Sequence, residues 1–172
     1  MKAAGVFLAL AVALVLQTTL AGMSLEGATV VNLVLVAVVY LALSFGPVTG
    51  MLSGTAGGLI QDALAVGIIG LGSMSKTLVG FLVGVLGAQF IVTHTLPRFV
   101  MFVGATFVHE LCFQTLQALV ESRGFGMDYS RTLTQAAVNG LVGILAFQLV
   151  ELTPGVLQRR RTRGASLSRR RY

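Results

Sequence analysis

The sequence predicts an all-α integral membrane protein of six transmembrane helices. Three observations carry that expectation. Of 172 residues, 55% are hydrophobic and only 10% charged; mean hydropathy is +0.89; and apolar stretches of membrane length recur along the chain with short connections between them. Such a composition excludes an ordinary soluble domain. The 21 glycines suit close helix approach in lipid, where small residues let backbones meet. The single cysteine, Cys112, rules out an internal disulfide and leaves no pair for a zinc knuckle or redox motif.

A membrane helix needs about 20 predominantly apolar residues, and on that ruler the spans fall at 3–21, 28–45, 47–69, 76–93, 98–120 and 132–151. The first follows Lys2 and is similar to a signal peptide, but its apolar run exceeds a typical h-region and no A-x-A site follows, so an uncleaved helix is expected. Pro47 marks the break between the second and third spans, Pro97 that between the fourth and fifth, and Pro154 follows the sixth, in keeping with proline's exclusion from helix interiors. Residues 1–157 then form one six-helix domain and 158–172 an Arg-rich tail.

Charge sets the expected orientation. Seven of the twelve basic residues lie in the tail, Arg159, Arg160, Arg161 and Arg163 closest to the last span. After a membrane helix such a run reads as an anchor to anionic lipid rather than a nucleic-acid site. With Lys2 at the other end, the positive-inside rule places both termini in the cytoplasm. Arg98 then falls in a cytoplasmic connection, and Glu26, Lys76 and the Glu121–Arg131 loop on the outer side.

Polar residues inside the spans are the candidates for function. A charged aspartate at a membrane helix centre costs about 2.5–3.5 kcal/mol on insertion scales, so Asp62 needs a partner, a cavity or a bundle interior. Helical periodicity puts Gly54, Gly58, Gln61, Asp62 and Ala65 on one face, read as a packing surface or, alternatively, a ligand or ion site. Lys76, Gly80, Gly84 and Ala88 recur every four residues as a small-residue ridge. In the fifth span Thr106, Glu110, Gln114, Gln117 and Glu121 share a stripe, and Gln135 and Asn139 of the sixth could donate to Glu110.

Three chemical motifs fail on inspection. Gly70 to Thr77 nearly spells a P-loop, but Ser75 replaces the second glycine and the segment joins two membrane helices instead of a strand and a helix. Ser53 with His109 would suggest an intramembrane protease, yet Met51-Leu52-Ser53-Gly54 lacks the G-x-S-G glycine. His109 and Cys112 are one turn apart, two ligands where a metal site needs more. No catalytic set, cofactor or metal is expected.

The chain resembles the MreD family of bacterial rod-shape-determining membrane proteins in its length, its short-looped spans, and above all in Gly57-Gly58-Leu59-Ile60-Gln61-Asp62 followed by Gly70-x-Gly72 and a glycine-rich fourth span. The likeness covers nearly all of residues 1 to 155 and leaves out the tail. It implies a non-enzymatic component of the cell-elongation machinery in the inner membrane, partnering MreC alongside the peptidoglycan synthase RodA, its transpeptidase and MreB. It also implies a fold similar to the substrate-binding subunit of energy-coupling-factor transporters. The alternative function is therefore a vitamin-type small-molecule-binding subunit, although the chain lacks tryptophan and Tyr40 is its only tyrosine within a span. Gly58, Asp62, Gly80, Gly84, Glu110, Gln114 and Asn139 are the candidates for structural or partner contact.

Overall fold

The computed structural model describes residues 2–23, 31–65, 68–90, 94–122, 126 and 128–152. They form α1 (Lys2–Met23), α2 (Leu33–Phe45), α3 (Pro47–Leu64), α4 (Leu71–Gln89), α5 (Thr95–Glu121) and α6 (Tyr129–Leu152). Glu26, Arg123, Pro154 and the tail arginines lie outside the described residues.

Each helix runs antiparallel to the one before it, so the bundle is up-and-down. The pairings show this directly. Gln17 of α1 brackets the start of α2, donating from Nε2 to Val31 C=O at 3.0 Å and accepting from Leu33 N–H at 2.6 Å. Leu10, a helical stretch earlier, packs with Val38 and Leu41.

Local chemistry sets the helix ends. Asn32 caps α2 by accepting from Leu35 N–H at 3.0 Å. A single residue, Gly46 at φ 94°, ends α2 and starts α3, with Pro47 in the first helical position, where its missing N–H costs nothing. α4 begins at Leu71, not at 76, because Gly70 at φ 109° turns the chain directly into it. Pro97 sits in the first turn of α5, tolerated there for the same reason as Pro47.

Four helices, α1, α4, α5 and α6, are long and apolar enough to cross a membrane. α2 falls short of that length: its 13 residues extend about 20 Å at 1.5 Å per residue, against a hydrocarbon core of about 30 Å. Its placement accounts for the shortness. α2 packs against each of the other five helices, and Val34, Val38, Val39 and Leu41 are buried in protein. Around it Val79, Val83, Phe102 and Ala105 complete the main core. The bundle's outer faces carry exposed Phe7, Leu96, Leu119 and Leu149, as lipid contact requires.

α3 and α4 approach backbone to backbone. A Cβ added at Gly50 would meet the Gly80 backbone, at Gly54 the Lys76 and Thr77 backbone, at Gly58 the Ser73 backbone, and at Gly84 Pro47. Dispersion at this range needs small residues on both helices. Hydroxyls fasten the same seam: Thr55 and Thr77 share a hydrogen bond at 2.9 Å, and Ser73 Oγ donates to Thr55 C=O at 3.1 Å.

At the opposite end of α5, Arg98 is not in a connection but in the helix, and it is buried. Its guanidinium pairs with Glu151 of α6 at 2.8 Å and lies 4.4 Å from the Phe147 ring centroid, which itself contacts Tyr40. Arg98→Ala should lower stability by about 1–2 kcal/mol, combining a partly exposed ion pair with a cation–π contact. Glu151→Gln should cost less, because the amide oxygen still accepts. Unfolding midpoints in a detergent titration measure both, and equal midpoints for Arg98→Ala and wild type would refute the assignment.

Candidate functional site

The N-termini of α2, α4 and α6 meet the C-termini of α3 and α5 at one end of the bundle. A helix start exposes unpaired N–H groups and partial positive charge, and each of these three starts is closed by an Asn or Asp side chain. Asn32 closes α2. Asp128 closes α6, its Oδ1 accepting from the N–H groups of Ser130 and Arg131, both at 3.1 Å, and from Ser130 Oγ at 2.7 Å.

α4 follows Gly70, which has no side chain to cap it. Asp62 reaches across from α3 instead, its Oδ2 accepting from Gly70 N–H at 2.9 Å and Ser73 N–H at 3.0 Å. One carboxylate thus satisfies the cap and the third helical donor, while its charge opposes the helix dipole. Gly72 leaves the room: a Cβ there would collide with Asp62 Oδ1. The P-loop-like segment is therefore the first turns of α4 held by a neighbouring carboxylate.

Hydrogen bonds from Ser130 Oγ and from the Arg131 backbone hold the Asp128 carboxyl below its ordinary value of 3.8. Because the folded state lowers this pKa, its contribution is present above the unfolded value and is lost as pH falls through the folded one. Amide exchange at Ser130 and Arg131 should accelerate only below that ordinary pKa, after correction for intrinsic rates. Unchanged protection there down to full protonation would contradict the cap.

The three caps rim a cavity of about 440 Å³, walled by polar side chains from α3, α4, α5 and α6. A smaller recess of about 240 Å³ adjoins it and shares Asp62, Phe113 and Gln117. Glu110 and Gln114, one helical turn apart on α5, both line the larger cavity. Lys76 also lines it. Instead of lying at an exposed helix end, Lys76 is 3% exposed, with Nζ 3.5 Å from the carbonyl of Gly72 one turn back. Asp62 and Glu110 are the acidic groups whose charge acts on it, but among the described residues it forms no ion pair with either. A larger groove of about 710 Å³ among α1, α2 and α3 is lined by Phe7, Leu10, Phe45 and Leu52 and offers little chemistry.

Deeper in the bundle a continuous hydrogen-bond chain joins four helices. Ser75 Oγ donates to Gly72 C=O at 3.0 Å and accepts from His109 Nδ1–H at 2.9 Å; His109 Nε2 then accepts from Asn32 Nδ2 at 3.4 Å. Asn139 Oδ1 accepts from Asn32 N–H at 3.0 Å, and its amide donates to Thr106 Oγ1 at 3.2 Å. The ring directions follow from the partners: one neutral tautomer satisfies every member.

The structure therefore brings Asp62, Glu110 and Gln114 to one cavity and Gly58, Gly80 and Gly84 to the α3–α4 seam. Asn139 goes elsewhere. It does not reach Glu110 by a hydrogen bond, because Asn32 and Thr106 take both ends of its amide. Ser53 bonds to Gly50 C=O and His109 to Ser75 and Asn32, so the protease pair does not form. Among the described residues no group of three His, Cys, Asp or Glu is placed to hold a metal. Asn32 and Ser75 were not read from the sequence as site residues. Asn32 alone had a local signal, a cap residue just before an apolar run.

The bundle, its lipid-facing apolar surface and its polar interior define a multi-pass helical membrane protein. Residues 1–153 match the family described as rod shape-determining protein MreD. The chain belongs to the MreD family, a shape-determining family, and the match takes in all six helices but not the Arg-rich tail. No curated protein and no solved structure matches the chain.

Proposed function

We propose that this protein is a non-enzymatic scaffold of the bacterial cell-elongation complex, binding MreC and helping to organise peptidoglycan synthesis alongside RodA, its transpeptidase and MreB. Family membership over residues 1–153 is the observation that carries the reading. In this reading the protein sits in the cytoplasmic membrane with both termini inside, and all six helices cross it. α2 and α3 complete their passage within the bundle, and the Arg-rich tail lies on anionic lipid. The capped end with its cavity then faces outward. Support for the packing role comes from polar groups engaged in caps and helix contacts, with apolar faces left for lipid or partner helices.

Co-purification with MreC from membranes, paired with depletion in a rod-shaped host, tests the scaffold. Recovery of the complex and rounding or widening of cells are expected. Normal cell width after depletion, or no MreC recovered, would overturn it. The second reading, a vitamin-type capture subunit with the energy-coupling-factor fold, draws support from the cavity of about 440 Å³. Among the described residues Phe113 is the one Phe, Tyr or Trp in that wall, against the aromatic lining expected of a site for a flat ring system. Vitamin detected by mass spectrometry in the purified protein would favour this second reading.

A further inference from the structure

The cavity holds polar groups that the fold leaves unfilled. Its three helix starts are already closed by Asn32, Asp62 and Asp128, so they do not call for an anion from outside. Lys76 is different. Its ammonium has three donors, yet among the described residues it makes one long contact, within its own helix. A buried ammonium is costly unless its donors are met. Nearby, Gln61 Oε1 is buried and accepts no hydrogen bond from the described residues. The space offers both an unfilled donor and an unfilled acceptor, with the Glu110 carboxylate on the facing helix.

These features narrow the occupant. An apolar molecule would leave Lys76 and Gln61 unsatisfied. A simple anion meets Asp62, Glu110 and Asp128, and a simple cation meets Lys76 and Arg131. A molecule with separated opposite charges answers both sets. The volume of about 440 Å³ lies within the usual range for small-ligand sites.

We infer that this cavity binds a small zwitterionic solute of amino-acid to short-peptide size. Its carboxylate is held by Lys76, and its ammonium by Gln61 Oε1 and Glu110. The walls of glutamine side chains, Gln114, Gln117 and Gln135, supply neutral donors and acceptors along its length. The inference stands apart from the scaffold reading, since MreC recovery does not report on it.

The chain contains two lysines, Lys2 and Lys76, so isotope-labelled lysine gives two side-chain NMR signals in the full-length protein in lipid nanodiscs. The probes are glycine, glycylglycine and triglycine, each set against its N-acetylated and C-amidated forms. At least one zwitterion should shift the Lys76 signal saturably and leave Lys2 unmoved. Each capped form should bind about tenfold or more weakly, the loss of one charge-assisted hydrogen bond. Glu110→Gln, a near-isosteric change, should narrow the preference for the free amine over its N-acetylated form, and Gln61→Leu should weaken binding. No saturable shift from any of the three zwitterions would overturn the site. So would equal responses to capped and uncapped forms, a response that follows ionic strength alone, or selectivity unchanged in Glu110→Gln.

Discussion

Gly80→Leu is expected to prevent α3 and α4 from closing, with loss of most folded protein from the membrane. A Cβ at this position already meets the Gly50 backbone, and a backbone, unlike a side-chain tip, has no rotamer to move into. Overpacking typically costs about 1–3 kcal/mol and occasionally more; a branched side chain against a helix backbone belongs at or above the upper end. The effect should be graded by what each Cβ meets. Gly57→Ala faces only Leu10 Cδ2 and Val34 Cγ1, both at 3.1 Å, and should be mild. Gly104 has nothing within 4 Å, so Gly104→Ala should be neutral or stabilising by about 0.5–1 kcal/mol through helix propensity. Folded yield and detergent unfolding midpoints measure the series. Gly80→Leu matching Gly104→Ala would show that the helices are not in backbone contact.

Asp62→Ala is expected to unravel the first turn of α4 and to destabilise the protein by about 2–3 kcal/mol, the loss of two bonds to a charged acceptor offset by partial access of water. Asp62→Asn should retain much of this. One oxygen, Oδ2, accepts both bonds, and the amide oxygen of asparagine can take its place. The remaining deficit is the charge opposed to the helix dipole, about 0.3–1 kcal/mol. Exchange of the Gly70 and Ser73 amides gives the local reading and the unfolding midpoint the global one. If Asp62→Ala leaves both unchanged, the carboxylate is not the cap.

Periodicity made the helices and the glycine faces legible. Gly54 and Gly58, and Gly80 and Gly84, each repeat at four residues, and repeats at that interval lie on one side of any helix. Whether two such faces meet is not local information, and Gly50, one turn before Gly54 on the same side of α3, completes the seam although it was not read as part of that face. Lys76 misled the boundary of α4 because a charge was taken to mark water. Its long apolar stem lies along the helix while its head reaches a polar space inside the bundle. Asp62 stood out energetically, but caps are read from the residue just before a helix, and this one lies eight positions before Gly70. The network was least visible: Asn32 and Asn139 are 107 residues apart, and nothing in the spacing joins them.

The turn at Gly46 bears on how sidedness should be measured. Beneath it Gly84 rests on Pro47 Cα and the Gly46 carbonyl carbon, so this corner is wedged by a neighbouring helix and has no spare chain. A reporter enzyme or epitope tag spliced there would pry apart the central helix and its partner, and its signal would describe a collapsed protein. Topology mapping is better placed at the exposed Tyr129.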